Sequence, residues 1–154
     1  MKRMLFFAVL FFGLISFTAL FSQTWHESTD FLTTAVACGT STTLVNGTGF
    51  NSSTIRVARG GYPEAGAITI TFTRTTGSAS EVYFEFQASY DNGTTWTTAY
   101  YVRIAVATNE TAVSNVVVKT TLINLNGVSH LRLYRIVNLD AAVGLTACNA
   151  NFSI

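Results

Sequence analysis

The stretch Ala67-Ile-Thr-Ile-Thr-Phe-Thr-Arg74 alternates without a break: Ile68, Ile70 and Phe72 fall on one side, Thr69, Thr71 and Thr73 on the other. A period of two marks an extended strand with one dry face and one wet face. The pattern recurs along the chain. Glu81-Val-Tyr-Phe-Glu-Phe-Gln-Ala-Ser-Tyr90 turns Val82, Phe84, Phe86 and Ala88 inward, and Trp96–Val106 sets Tyr100, Val102, Ile104 and Val106 on one face. Ala112–Ile123, His130–Val137 and Leu145–Ile154 are further strand candidates, with a weaker one over Ser53–Ala58. In the last of these, Cys148, Phe152 and Ile154 share the inward face, opposite Asn149, Asn151 and Ser153.

Turn chemistry separates these runs. Gly60-Gly61-Tyr62-Pro63, Thr76-Gly77-Ser78, Asp91-Asn92-Gly93 and Asn126-Gly127 fall between them, where backbone reversal favours Gly, Asn, Asp and Pro. Short strands at this spacing predict an all-β fold, a single antiparallel β-sandwich of jelly-roll or Ig-like type. Helical character is confined to a hydrophobic segment at the N-terminus.

That segment opens with Lys2 and Arg3, runs apolar from Met4 to Phe21 and turns polar at Ser22, Gln23 and Thr24. The layout is that of a secretory signal peptide over residues 1–22, with an uncleaved anchor as the alternative. Residues 23–154 are then one domain at the cell surface or outside it, touching membrane only through the N-terminal segment. Charged residues are 11% and apolar residues 49% of 154, so surface polarity falls to Thr, Ser, Asn and Gly. With Lys2 and Arg3 in the leader, the remainder carries seven of the nine basic residues against eight acidic ones, a charge of about −1. Nucleic acid, which needs a basic face, is not the expected partner.

Cys38 and Cys148 lie near the two ends of the mature chain. In an oxidising compartment they are expected to form one disulfide closing a loop of about 110 residues; without paired His or Cys neighbours they are not a metal site.

Ser89-Tyr-Asp-Asn-Gly-Thr-Thr-Trp96 matches S-x-D-x-G-x-T-W and resembles the Asp-box of sialidase-like β-propellers. A similar turn occurs in β-sandwich modules of phage particles and secreted adhesins. The resemblance implies a structural hairpin opened by Ser89: Asp91 accepting backbone N–H groups, Gly93 at a positive φ angle, Thr95 bonding back to the turn, Trp96 packing beneath. It covers eight residues, and a propeller needs at least four four-stranded blades, so sialidase activity does not follow. A carbohydrate or calcium site on Asp91 is the alternative.

No catalytic, cofactor-binding or metal-binding set emerges, and no enzyme activity is expected. His26 reads as a solvated residue after the leader, and nothing pairs His130 with Asp140. Glu81 and Glu85 are roughly 13 Å apart along a strand, too far for the ~5–9.5 Å of a glycosidase pair, and read as a solvated face. Tyr83, Tyr100 and Tyr101 suggest a sugar platform, but alternation sends Tyr100 and Tyr101 to opposite faces. Five sequons, at Asn46, Asn51, Asn92, Asn109 and Asn151, are candidate glycosylation sites. The resulting expectation is a secreted structural or interaction protein, a self-assembling subunit of a filament, surface layer, matrix or particle; the alternative is a carbohydrate-binding or adhesive module recognising surface glycans. Self-association by strand addition is expected from residues 23–37, an extended N-terminal strand carrying Trp25, Phe31, Leu32 and Val36, or else the domain's own first strand.

Overall fold

The computed structural model describes residues 28–57, 64–75, 82–106 and 115–154. The leader, His26, Glu81 and Asn109 lie outside them. The described residues form ten strands: Ser28–Asp30 (β1), Val36–Cys38 (β2), Thr42–Val45 (β3), Ile55–Arg56 (β4), Ala65–Arg74 (β5), Val82–Ser89 (β6), Val102–Val106 (β7), Val116–Asn124 (β8), His130–Asn138 (β9) and Leu145–Ser153 (β10). One antiparallel sheet runs β1-β10-β5-β8 with β2 also on β10; the other runs β3-β9-β6-β7 with β4 also on β9. Among the described residues there is no helix.

Alternation decides which side chains meet between the sheets. Ile68, Ile70 and Phe72 of β5 are fully buried, as are Val82, Phe84, Phe86 and Ala88 of β6. Phe72 stacks on Phe84 across the gap with ring centroids 6.0 Å apart, and Phe31 lies 5.0 Å from Phe86 and 6.4 Å from Phe152. Aromatic pairs at such separations add roughly 0.5–1.5 kcal/mol beyond their burial. Leu131, Leu133 and Ile136 of β9 and Phe152 of β10 complete the layer.

Several expectations need correcting. Of the segment 23–37, residues 28–37 take the second of its two expected roles, strands of the domain itself and not an arm reaching for a neighbour: β1 and β2 both pair with β10 of their own sheet, and Phe31 and Leu32 are core residues; residues 23–27 lie outside the described residues. The connection between the two strands carries Phe31 and Leu32, and that much apolar surface is held by its own core before any partner arrives. Trp96–Tyr101 is not strand. Thr97 N donates to Ala88 O (3.0 Å) and Tyr101 N to Phe86 O (2.7 Å), so four residues of chain cross two of β6 and the excess loops outward. The weak strand expected at 53–58 shrinks to Ile55–Arg56. Cys38 and Cys148 are free thiols and not the expected disulfide. Cys38 lies opposite Leu145 and Cys148 opposite Val36, a staggered placement across a register shift in β10. The Cys38 thiol donates to Thr42 O (3.4 Å). Burial, with Cys38 adjacent, pushes the Cys148 thiol up to about 12, which keeps it protonated and poorly nucleophilic.

That register shift is a bulge. Leu145 is buried, Thr146 and Ala147 are exposed, and burial resumes at Cys148. The extra residue turns Cys148, Ala150 and Phe152 inward, and it does so with Ala147 at φ +51°. An L-residue with a Cβ is disfavoured there by roughly 1–2 kcal/mol. Ala147→Gly removes that strain at a smaller entropic cost and raises stability by up to about 1 kcal/mol; a lower urea midpoint for the variant would contradict this account of the bulge.

Candidate functional site

The Ser89–Trp96 turn is closed by its own side chains. Asp91 Oδ1 accepts from Ser89 Oγ (2.7 Å) and Thr95 N (2.8 Å), and Oδ2 accepts from Thr95 Oγ1 (2.6 Å). Ser89 Oγ in turn accepts from Gly93 N (2.9 Å), with Gly93 at φ +84°. The Thr95 hydroxyl and backbone N–H, together with Ser89, lower the Asp91 carboxyl to about 2. Every short bond of this carboxylate ends inside the turn. Ser129 ties the turn to β9, its hydroxyl accepting from Asn92 N (3.0 Å) and donating to Ser89 O (2.9 Å). His130 Nδ1 lies 3.2 Å from the same hydroxyl, a contact between chain neighbours. Asp140 lies beyond the far end of β9, where its Oδ1 accepts from Ala142 N and Val143 N. The structure does not bring these two residues together.

The outer face of the second sheet carries a set of groups that sequence reading missed. Glu85, expected on a solvated face, is 0% exposed. It faces outward, but Arg103 of β7 and Arg135 of β9 stand opposite it on either side. Arg103 donates through Nε (2.8 Å) and Nη2 (2.5 Å) to Oε1, and Arg135 through Nε (2.7 Å) and Nη2 (2.6 Å) to Oε2. A one-residue bulge makes this alignment: Glu85 pairs with Arg135 and Phe86 with Leu133, leaving Tyr134 as the extra residue of β9. One row further, Arg132 donates through Nε (3.0 Å) and Nη2 (2.7 Å) to Gln87 Oε1.

Each guanidinium also lies over a ring. Arg103 sits 4.4 Å from the Tyr100 centroid and 4.8 Å from that of Tyr83; Arg132 lies 4.2 Å above Trp96, and Arg135 4.9 Å from Tyr134. Trp96 is thus half-buried under an arginine. Tyr101 leaves this layer, its hydroxyl donating to Asn124 O (2.5 Å). Four of the six Lys and Arg residues described, Arg56, Arg103, Arg132 and Arg135, stand on this sheet, and Glu85 is the one acidic residue on its strands. The signal for it was three arginines spaced among apolar strand residues.

The other exposed feature is β8, at the edge of the first sheet. Val117 and Ile123 are buried, whereas Val116, Val118 and Leu122 point outward, Val118 58% and Leu122 80% exposed. Apolar residues at both parities of Val116-Val-Val-Lys-Thr-Thr-Leu-Ile-Asn124 were its sequence signal. Hydrogen bonds at the two ends of the β5–β8 ladder, Arg74 N to Asn115 O and Leu125 N to Glu64 O (both 2.9 Å), fix which backbone groups face β5. Bonded pairs alternate in an antiparallel ladder, so odd-numbered residues of β8 face β5. The N–H and C=O groups of Val116, Val118, Thr120 and Leu122 face away, and no described residue takes them up. Only at Asn124 is the outward carbonyl engaged, by Tyr101.

The sequons divide. Asn51 and Asn92 are exposed. Asn46 is half-buried, its Oδ1 accepting from Ser52 N (2.9 Å). Asn151 is bound on both sides, by Ser28 Oγ (2.7 Å) and Asp30 Oδ1 (3.0 Å).

Two outcomes follow from this geometry. Glu85→Gln leaves two guanidiniums facing a neutral amide and costs about 2–3 kcal/mol, less than for a fully buried pair, because the arginine side chains are 39% and 35% exposed; urea unfolding measures it. Asp91 binds its proton more weakly folded than unfolded, so its stabilisation is full above about pH 4 and lost as pH falls through about 2. Asp91→Asn therefore unfolds at lower urea than the parent at pH 6, and the gap narrows as the pH approaches 2.

No family model matches the chain, and no curated protein matches it. Among solved structures, the crystal structure of the infectious bursal disease virus VP2 subviral particle aligns over 84% of this chain and 30% of that one, at 12% identity and a TM-score of 0.40. The chain thus spans under a third of that protein's length.

Proposed function

We propose that the chain is a non-enzymatic structural or interaction protein that associates with copies of itself. The edge of β8, which no described residue pairs except at Asn124, carries this reading. It is nine residues long, lacks Pro and holds one charge, Lys119. Natural proteins blunt such edges with short strands, charges or bulges, because unpaired N–H and C=O groups template pairing with another chain. Here the edge is left regular and its outer side is apolar. The location outside the cell rests on the sequence of residues 1–22 alone.

Magnitudes set the strength of the contact. A strand pair contributes hydrogen bonds of roughly 0.5–1.5 kcal/mol each and side-chain pairs of roughly 0.2–1 kcal/mol. Association itself costs an estimated 4–15 kcal/mol. One edge alone therefore supports weak, concentration-dependent association, suited to an assembly in which each subunit makes several contacts.

A second reading draws on the Arg and aromatic face. Trp96, Tyr100 and three guanidiniums, each with Nη1 outside the bonds described above, fit a surface for acidic sugars. A glycan-binding screen addresses it: binding that disappears in Arg132→Ala while solution mass is unchanged favours the adhesive module.

The test of the main reading is the mass of the purified protein by light scattering over a wide concentration range. Mass grows with concentration in the parent, and Val118→Lys with Leu122→Lys returns it to monomer with an unchanged circular dichroism spectrum. A monomer at every concentration would sink the self-association reading.

A further inference from the structure

We infer that two copies of the chain pair antiparallel through β8 about a twofold axis at Thr120. This rests on the self-association reading and specifies its partner and its register. A second copy is the occupant because the edge is complementary to itself. In a twofold antiparallel pair the numbers of opposed residues have a constant sum. The edge-facing groups sit on Val116, Val118, Thr120 and Leu122, so that sum must be even for these groups to meet.

Four registers then compete. With the axis at Val118, Leu122, the most exposed apolar residue of the strand, finds no partner within the second copy's β8. With the axis at Lys119, the ammonium-bearing residues of the two copies stand directly opposite, about 4.5 Å apart at Cα in a non-hydrogen-bonded pair, where like charges destabilise. With the axis at Thr121, Val118 faces the second copy's Asn124, whose outward carbonyl is already engaged by Tyr101, an obstruction that the Thr120 register meets only at its end pair, Val116 with Asn124. That leaves Thr120 with Leu122 and its symmetry mate. With the axis at Thr120, Val118 faces the second copy's Leu122, Thr120 faces itself, and Leu122 faces the second copy's Val118. All three are pairs that exchange two hydrogen bonds, roughly six in all. Lys119 then lies opposite Thr121 and meets no like charge.

Side chains agree with the backbone. Val118 and Leu122 are the two most exposed apolar residues of β8, and this register places each beside the other from the second copy on one outer face. Thr120 Oγ1 lies 2.9 Å from Thr69 Oγ1 of β5, which holds the axis residue in place within its own sheet. The resulting sheet is continuous across both copies, with β8 buried at its middle.

Cysteine crosslinking reads the register and leaves Lys119 in place. In a Cys38→Ser, Cys148→Ser background, Thr120→Cys sets two thiols opposite each other at about 5.5 Å between Cα atoms, within disulfide reach. Under mild oxidation this variant is expected to form dimer at least tenfold faster than Thr94→Cys, an exposed control. A mixture of Val118→Cys and Thr120→Cys chains reports the Lys119-centred register by its mixed disulfide, and dominance of that product overturns the inference. Concentration-dependent mass with no crosslink above control at either position also overturns it, and leaves self-association standing through another surface. A strict monomer overturns both.

Discussion

Two flat layers of side chains have to meet for this fold to exist, and the meeting is made by rings. Phe72 stacks on Phe84 across the gap, and Phe31 bridges Phe86 to Phe152. Interiors of this kind are packed to crystal density, so the spacing between the sheets follows from these rings and every other inward residue is chosen to fit it. Since the two inner faces are spoken for, whatever the molecule does in contact with others falls to the outer faces and the edges. The outer faces differ sharply. One is a carpet of threonines with an apolar stripe along β8; the other is a layer of arginines lying on rings.

The strands were legible because alternation survives wherever one face is dry. Val82, Phe84, Phe86 and Ala88 are buried as their parity requires, and Ile68, Ile70 and Phe72 likewise. Three features were not legible, each for a physical reason. Parity gives the direction of Glu85 but not its environment: outward means solvated only if the cross-strand neighbours are small, and here they are two arginines. The bulges at Tyr134 and Ala147 insert one residue each, and a single insertion changes phase without leaving a local signature. The strands near the N-terminus are three residues long, too short for any period to show. The turn at Ser89–Trp96 is different. Its chemistry is contained within eight residues, so a sequence motif can describe it fully, and for the same reason it says little about the rest of the molecule.

Charge is distributed as unevenly as apolar surface. Among the described residues, Arg56, Arg103, Arg132 and Arg135 share one sheet with Glu85, while Asp30, Glu64, Asp91 and Asp140 lie on the other sheet or on loops. A near-zero net charge thus goes with a basic sheet among the described strands. Holding each guanidinium over a ring keeps it ordered with a smaller loss of rotamer freedom than a free arginine would suffer on binding. The two readings of function use different surfaces, one apolar and one cationic, and neither blocks the other.

The position of β10 in its sheet has a kinetic consequence. It is synthesised after the nine other strands, yet it lies between β5 on one side and β1 and β2 on the other. Until it emerges from the ribosome, β1 and β2 have no strand to join, and β5 has an open flank in addition to the open flank of β8. Completion of the first sheet therefore waits for β10, since loops exceeding a hundred residues must close before β1 and β2 can join the β5–β8 pair (Ser28 meets Ser153). Such long-range closure is slow, and during the delay the same strands are available to other chains. Export before folding, or a chaperone that covers β5 and β8 while β10 is still being made, would keep assembly from starting among half-made chains.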